Sequence, residues 1–361
     1  MSDRAKMGAL RRLARANNPD ARHWRQVMAL FEDWPWQSIQ IGLEYAQALL
    51  DRWPDAVRTN PEWMSWDNIH PAWTLVRHLD LAHKPLGPDG ARKLADQRRL
   101  SRITHLNLCN CALGDEGMEA LAASGWVGQL QTLRLALNNL TLRGIDALAG
   151  AGQLVDLVTL DLGHNDVGEA GLARLAEAGQ LIGLVALDVR HTGLGPASAA
   201  RIARSHHASR MQRLDLSGNP LGPLGIGHLA NTHHLRRLQW LNLSNTQQLN
   251  GGPDVFAQSQ HLPALTHLDL SYNGIADEGM LSLATADRVA GLKHLDLEGN
   301  PLTPTGAAAL ARSPYIAQLD SLSVSVAAKK RPDALKHLAT LANHITLTID
   351  GQPAAEALAI K

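Results

Sequence analysis

The sequence has few cysteines, few aromatic residues other than tryptophan, and no excess of charge of either sign. Its 2 cysteines, Cys109 and Cys111, lie two positions apart and cannot form a disulfide framework, so we expect a reducing compartment. The 34 basic and 34 acidic residues cancel, which argues against a nucleic-acid or membrane partner. No apolar stretch is long enough for a signal peptide or a membrane span, so we expect a cytoplasmic protein, with a non-cleaved secretion signal as the open alternative.

Motifs of catalysis and of metal or cofactor binding are also missing. The sequence has no phosphate loop, no H-E-x-x-H motif, no C-x-x-C pair and no recognisable Ser/His/Asp arrangement. His83, His105 and Cys109 fall on the first two predicted strands, but they make only a weak zinc pattern. We therefore expect no enzyme activity, no cofactor and no metal site.

What the sequence has instead is one leucine that recurs every 27 residues. These strand leucines are Leu79, Leu106, Leu133, Leu160, Leu187, Leu214, Leu241, Leu268, Leu295 and Leu322. Around each lies the pattern L-x-x-L-x-L-x-x-N-x-L, seen clearly from Leu292 to Leu302. A fixed period of this length is typical of a solenoid, in which each coil packs only on its neighbours.

Each repeat predicts a short strand, a turn and a helix. Apolar residues at −3, 0 and +2 from the strand leucine alternate, as on the buried face of a strand. Position +5 carries asparagine in five repeats and Cys111 in another, and these side chains can bond the backbone of neighbouring coils. Glycine at +11 and alanine at +16 recur in the second half, which predicts helices that pack closely.

The repeats resemble leucine-rich repeats of the ribonuclease-inhibitor-like subfamily. Residues 112–124 (ALGDEGMEALAAS) and 274–286 (GIADEGMLSLATA) resemble that subfamily most closely, and the resemblance covers residues 74–327. It implies an α/β horseshoe with parallel strands on the concave face and helices on the convex face. It also implies that a protein partner binds on the concave face, without identifying that partner.

The first 72 residues differ from the repeats and carry six of the nine tryptophans, including Trp66. Apolar residues spaced by three and four predict amphipathic helices, which end where Trp34 and Trp53 each precede a proline. We interpret this helical region as a cap on the first repeat, because a solenoid end exposes apolar surface. An independent partner-binding module is the alternative.

The sequence therefore predicts three regions. Residues 1–72 form a helical N-terminal cap and residues 73–327 form the repeats. Residues 328–361 form an atypical closing repeat, in which Ile349 returns to the period of 27.

The candidate binding residues are those on the open strand face that the repeat does not dictate. Trp240 has no core role there, and exposed aromatic and arginine side chains are enriched at binding hot spots. Leu249 falls one place later than the pattern, a local departure of the kind found at functional positions. We predict a partner-binding patch of Arg213, Trp240, His267, Asp269, Tyr272, His294, Asp296 and Glu298.

Three alternatives stay open at this patch. Trp240 is either part of a binding surface, an isolated surface aromatic, or covered by a terminal segment. The aspartates at position +1 form either an acidic groove for a basic partner or part of the repeat framework. Several histidines are predicted on the open face, which raises the hypothesis of pH-dependent binding. They are His78, His83, His105, His164, His191, His267 and His294.

The function predicted from these features is a non-enzymatic scaffold that binds a protein or peptide partner on the concave face. The alternative is a secreted bacterial effector or adaptor, in which the repeats select a target and residues 1–72 recruit a second protein. A bacterial origin is expected in either case. Neither hypothesis identifies the partner, because proteins of one fold serve unrelated functions.

Overall fold

The computed structural model describes residues 1–65, 70–179, 182–247, 251–259, 261–287, 291–327 and 331–359. Trp66, Leu249 and residues 328–330 of the predicted closing repeat lie outside the described residues. The chain divides into two compact units, Met1–Asp161 and Leu162–Lys361. Among the described residues, no helix is both long and apolar enough to cross a membrane.

The first unit begins with three helices and continues with alternating strands and helices. Its helices are α1 (Asp3–Ala14), α2 (Ala21–Glu32), α3 (Ile39–Leu50), α4 (Gly87–Ala95), α5 (Gly114–Ala122) and α6 (Leu142–Gly150). Its strands are β1 (His78–Asp80), β2 (His105–Asn107), β3 (Thr132–Arg134) and β4 (Thr159–Asp161). The four strands are parallel and pair in chain order, with each strand leucine opposite the next.

The second unit continues the same alternation. Its helices are α7 (Gly168–Glu177), α8 (Pro196–Arg204), α9 (Gly222–Ala230), α10 (Gly251–Gln258), α11 (Asp277–Thr285), α12 (Pro304–Arg312), α13 (Arg331–Leu341) and α14 (Ala354–Ala359). Its strands are β5 (Ala186–Asp188), β6 (Arg213–Asp215), β7 (Trp240–Asn242), β8 (His267–Asp269), β9 (His294–Leu302), β10 (Ser321–Val326), β11 (Thr346–Ile349) and β12 (Gln352–Pro353). Strands β5 to β11 are parallel, and β12 pairs antiparallel with β11. The predicted α/β solenoid of repeating strands and helices is confirmed.

The core of each coil is the leucine side of the strand, packed against the helix. Leu106 is 1% exposed and Leu214 is fully buried, as alternation along a strand requires. Helix α5 packs closely on α4, because a Cβ at Gly117 would lie 3.1 Å from the Cβ of Ala91. The recurring glycine therefore meets a spacing requirement between neighbouring helices, as the sequence predicts.

A buried asparagine at position +5 bonds the backbone of two adjacent coils. The Oδ1 atom of Asn219 accepts hydrogen bonds from the backbone N–H groups of Thr192 and Leu194, at 3.0 Å each. Its Nδ2 group donates to the carbonyl oxygens of Val189 and Leu216, at 2.8 and 2.9 Å. These bonds satisfy backbone groups at a turn that water does not reach. The predicted ladder of turn asparagines is therefore present.

The helical region of the first unit lies against the edge of β1. The backbone N–H groups of Arg77 and His78 both donate to the carbonyl oxygen of Arg58, at 2.9 and 3.1 Å. The Asn60 side chain accepts from the backbone N–H of Asp80 at 2.8 Å. These bonds occupy hydrogen-bonding groups that an open sheet edge would leave free. The predicted boundaries of the cap, the repeats and the closing repeat stay predictions.

The closing coil differs from the prediction for Ile349. Leu322 pairs with Leu347, whereas Ile349 pairs with Val324. The last coil is therefore two residues shorter than the others, and the expected return to the period of 27 is wrong. The shorter coil still buries Leu347 and Ile349, because a shift of two residues keeps both side chains on the same side of the strand.

Candidate partner-binding face

The open face of the second unit is the side of its strands that points away from the buried leucines. Position −1 lies in register from strand to strand, so Arg213 pairs with Trp240, Trp240 with His267, and His267 with His294. Arg213 is exposed and the other three side chains are half-buried. Four of the eight predicted patch residues therefore form one row across β6 to β9.

The side chains in this row contact each other. The guanidinium of Arg213 lies 4.3 Å from the centre of the Trp240 ring, within the range of a cation–π interaction. The rings of His267 and His294 stack with centres 4.1 Å apart. His294 Nδ1 shares a hydrogen bond of 2.7 Å with the hydroxyl of Ser321. Trp240 is therefore not an isolated surface aromatic.

The pKa of His267 is lowered by its surroundings. Burial is the main cause, and the neighbouring His294 and Arg213 add to it. The neutral ring is favoured because a charged one would lose water and face like charge. The row is therefore an aromatic surface with one guanidinium at its end.

A second row at position +1 carries carboxylates. Asp215, Asn242, Asp269 and Asp296 lie in register on β6 to β9. Burial raises the pKa of Asp296, and the carboxylates of Asp269 and Glu298 raise it further. The three carboxyl groups of the patch therefore form a region of negative charge beside the aromatic row.

The aspartates of this second row also hold the turn after the strand. One oxygen of Asp269 accepts from the backbone N–H of Ser271 at 2.9 Å, and one oxygen of Asp296 accepts from that of Glu298 at 2.9 Å. Asp80 does the same for Ala82 in the first unit. The framework interpretation thus accounts for one oxygen of these residues.

Tyr272 stands at the end of the patch in a left-handed backbone conformation, with φ of 54°. Its side chain is 59% exposed, and its backbone N–H donates to the carbonyl oxygen of Glu298 at 2.8 Å. A Cβ at Gly299 would lie 2.4 Å from Tyr272 Cδ1, so the ring rests on the glycine backbone. This conformation is uncommon for a bulky side chain, and it places the ring over Gly299.

The seven histidines of the open face fall into two structural classes. Four lie on the strands at position −1, where His78 and His105 have ring centres 5.6 Å apart, like the pair of His267 and His294 in the second unit. The other three occupy the left-handed corner after the strand, at His83, His164 and His191. These three lie after the strand ends, at the same position as Tyr272, and their place on the open face stays a prediction. The left-handed backbone conformation explains why histidine occurs at these three corners, because histidine tolerates positive φ better than most residues.

Cys111 takes the place of the turn asparagine in its coil, as the sequence predicts. Its thiol is buried and donates to the carbonyl oxygen of Leu81 at 3.0 Å, and its backbone N–H donates to Asn138 Oδ1 at 3.0 Å. Burial raises the pKa of this thiol to about 11. Within the part of the chain that the structure describes, no group of three or more histidine, cysteine or carboxylate side chains is arranged to hold a metal ion.

The second unit has a groove that the sequence pattern does not predict. A groove of about 450 Å³ opens beside the segments that lead into β6 and β7, and we call it the arginine–histidine groove. Its lining residues are Ser209, Arg210, His233, His234, Arg236 and Arg237. A signal was present, because the pair His206-His207 recurs 27 residues later as His233-His234. The strand-face pattern does not indicate this groove, because its lining residues lie before β6 and β7 in the chain.

Comparison with known proteins supports the repeat assignment. The family model described as Leucine Rich repeat matches residues 102–122, 130–149, 155–176, 261–284 and 292–311. No curated protein matches the chain. The matched segments lie in both units of the structure, and each contains one strand leucine.

Two solved structures are similar to this chain. A chain in the crystal structure of the Rad7 and Elc1 complex in yeast has a TM-score of 0.52 and 14% sequence identity, covering 97% of this chain and 89% of its own length. The internalin inlF from Listeria monocytogenes has a TM-score of 0.45 and 15% identity, covering 87% of this chain and 91% of its own. At 14% identity, the similarity to the chain of the Rad7 and Elc1 complex concerns the fold alone. The similarity to the internalin supports no further conclusion. The matched segments are therefore leucine-rich repeats, and the chain has the leucine-rich repeat solenoid fold.

Proposed function

We propose that this protein is a non-enzymatic interaction scaffold that binds a protein or peptide partner on the open strand face of its second unit. The observation that supports this most strongly is the contiguous row of Arg213, Trp240, His267 and His294. Tryptophan and arginine are the residues most enriched at binding hot spots. An arginine stacked on a half-exposed tryptophan leaves both groups at the surface, where a partner can bury them.

The remaining predicted residues fit the same proposal. Asp269, Asp296 and Glu298 place carboxylates beside the aromatic row. Burial and the two neighbouring carboxylates disfavour the charged form of Asp296. A lysine or arginine of the partner would relieve this repulsion. Tyr272 adds an exposed phenol at the end of the patch, held in an uncommon backbone conformation. The proposed partner therefore presents apolar and basic side chains together.

We also propose the finer assignments, that the repeats are of the ribonuclease-inhibitor-like subfamily and that the protein is bacterial and cytoplasmic. The period of 27 and the regular strand–helix coils support the subfamily. The effector or adaptor alternative gives residues 1–72 a second partner. Trp36 and Ile41, each 60% exposed, favour a contact surface in that region.

The decisive experiment is quantitative affinity capture from a native lysate with three forms of the full chain: wild type, Trp240→Ala and Trp36→Ala. The two variants remove the same side chain from different units, so each controls for the other. We expect Trp240→Ala to reduce recovery of a specific partner at least tenfold, while Trp36→Ala retains it. Thermal unfolding of each variant checks that the fold is intact.

The opposite pattern would contradict the proposed site. If Trp36→Ala loses the partner and Trp240→Ala keeps it, the helical region carries the binding function, as the adaptor alternative holds. Equal recovery with all three forms would remove both tryptophans from the interface.

A further inference from the structure

The arginine–histidine groove is built by the repeat itself. Arg210 and Arg237 each lie four positions before a strand leucine, so they occupy equivalent places in adjacent coils. His207, His234 and His261 hold a second equivalent place, seven positions before the strand leucine in three successive coils. The period of 27 therefore stacks like charges and rings into two short columns along one side of the second unit.

Column histidines contact the histidine that precedes the equivalent position in the neighbouring coil. The rings of His206 and His234 have centres 5.1 Å apart, and those of His233 and His261 have centres 4.1 Å apart. Arg236 Nη2 lies 3.5 Å from His233 Nδ1. Two histidine pairs thus each bridge neighbouring coils, and one groove arginine lies beside His233.

The guanidinium groups of the groove have no carboxylate partner in the described part of the chain. Arg210, Arg236 and Arg237 are exposed, and none of them makes an ion pair there. Between Asp188 and Asp254, the sequence contains only one acidic residue, Asp215 on the open face. Arg143, by contrast, is exposed and pairs with Glu119 at 2.6 Å. The groove therefore carries positive charge that the protein does not neutralise itself.

We propose that the arginine–histidine groove is a second binding surface, and that it takes a short extended segment of a partner protein rich in aspartate or glutamate. Guanidinium groups bind carboxylates through paired N–H donors in a planar fork. Side chains on one side of an extended strand recur about every 6.6 Å. Equivalent positions in adjacent coils are about 5–10 Å apart, so alternate acidic residues match successive coils.

The short length of the arginine column argues for a peptide rather than a nucleic acid. Gly183 and Ala264 occupy the equivalent positions in the coils on either side of Arg210 and Arg237, so the column ends after two coils. Specific protein–DNA interfaces bury roughly 1,000–2,500 Å² of protein surface and use many phosphate contacts. At about 3.3 Å per residue, an extended segment of roughly three or four residues spans the about 5–10 Å between the two arginine positions.

The test uses the full chain and a fluorescein-labelled octapeptide of alternating glutamate and serine, with binding followed by fluorescence anisotropy at low salt. The control peptide has glutamine in place of glutamate. The test variant is Arg210→Gln with Arg237→Gln, because one exposed ion pair contributes little by itself. The matched control is Arg22→Gln with Arg25→Gln, which removes the same charge from exposed positions of α2 in the first unit.

We expect the glutamate peptide to bind and the glutamine peptide to bind at least tenfold more weakly. The groove variant should lose at least tenfold in affinity, the α2 variant less than twofold, and raised salt should weaken binding. Trp240→Ala should leave this affinity unchanged, since the proposal does not depend on the open-face patch.

Several results would overturn the proposal. These are no measurable binding of the glutamate peptide, equal binding of both peptides, or equal losses in the two double variants. Tighter binding of a single-stranded DNA octamer than of the peptide, lost in the groove variant, would assign the groove to nucleic acid instead.

Discussion

The residue four positions after each strand leucine adopts a left-handed backbone conformation in nine successive coils. The residues are His83, Asn110, Leu137, His164, His191, Gly218, Asn245, Tyr272 and Gly299, with φ between 51° and 68°. Glycine and asparagine tolerate this region, and histidine is also enriched there. Leu137 and Tyr272 are the two corner residues whose type does not favour positive φ, and both side chains are exposed. Tyr272 is therefore the corner residue most suggestive of a binding role.

At the same scale, the carboxyl group of Asp296 makes a prediction about pH. Its pKa is raised in the folded protein by burial, Asp269 and Glu298, so the folded state holds the proton more tightly than the unfolded chain does. Ionisation therefore favours unfolding, and this destabilisation grows as pH rises through the range between the unfolded and folded pKa values. It is fully present once the pH exceeds the folded pKa.

We expect Asp296→Asn to raise the thermal midpoint at pH 7.5 and to match the wild type at about pH 3, where the aspartate is protonated in both states. The asparagine Oδ1 atom can still accept from the Glu298 backbone N–H, so the turn is kept. Differential scanning calorimetry across this pH range makes the comparison. A midpoint below the wild type at pH 7.5 would mean that the carboxylate stabilises the fold.

At the scale of the element, the turn and the helix end of each coil are bonded to their neighbours. The hydroxyl of Ser313 donates to the carbonyl oxygen of Ala284 at 2.5 Å, and that of Ser124 donates to Ala95 at 2.8 Å. These bonds satisfy carbonyl groups at the end of the preceding helix. The coil with Ser313 is therefore fastened at both ends, by Asn300 at the turn and by the serine hydroxyl at the helix end.

The turn ladder predicts a large loss of stability on removing one asparagine. Asn219→Ala leaves the backbone groups of Thr192, Leu194, Val189 and Leu216 without this buried partner, which should cost about 2–4 kcal/mol of unfolding free energy. Asn231→Ala, an exposed position in the same coil, should cost less than about 1 kcal/mol. Urea unfolding measures both, and equal losses would show that the buried amide is not the source of stability.

The 27-residue period explains how much of the site follows from the sequence. Residues 27 positions apart in the sequence become neighbours on adjacent strands. The period therefore predicts that Trp240 lies beside Arg213 and that His267 lies beside His294. The closing coil does not follow, because the loss of two residues changes the register at Ile349. Neither do the pKa shifts, which depend on burial and on the distance between side chains.

At the scale of the whole molecule, the balanced net charge conceals separate charged surfaces. The sequence has 34 basic and 34 acidic residues, yet Arg210, Arg236 and Arg237 gather in one groove, whereas Asp269 and Asp296 line the open face. Under the two proposals, one surface takes apolar and basic side chains and the other takes acidic ones. A scaffold of this kind can discriminate partners by charge as well as by shape.

We propose that a partner contacts the open face of the second unit. Photo-crosslinking from that face is the measurement that tests this contact. A photoreactive phenylalanine analogue is placed at Tyr272, which is 59% exposed, and in a control protein at Val155, which is 74% exposed in the first unit. We expect the partner captured by the wild type to crosslink from position 272 and not from position 155. Crosslinking from position 155 alone would place the interface elsewhere and contradict the account.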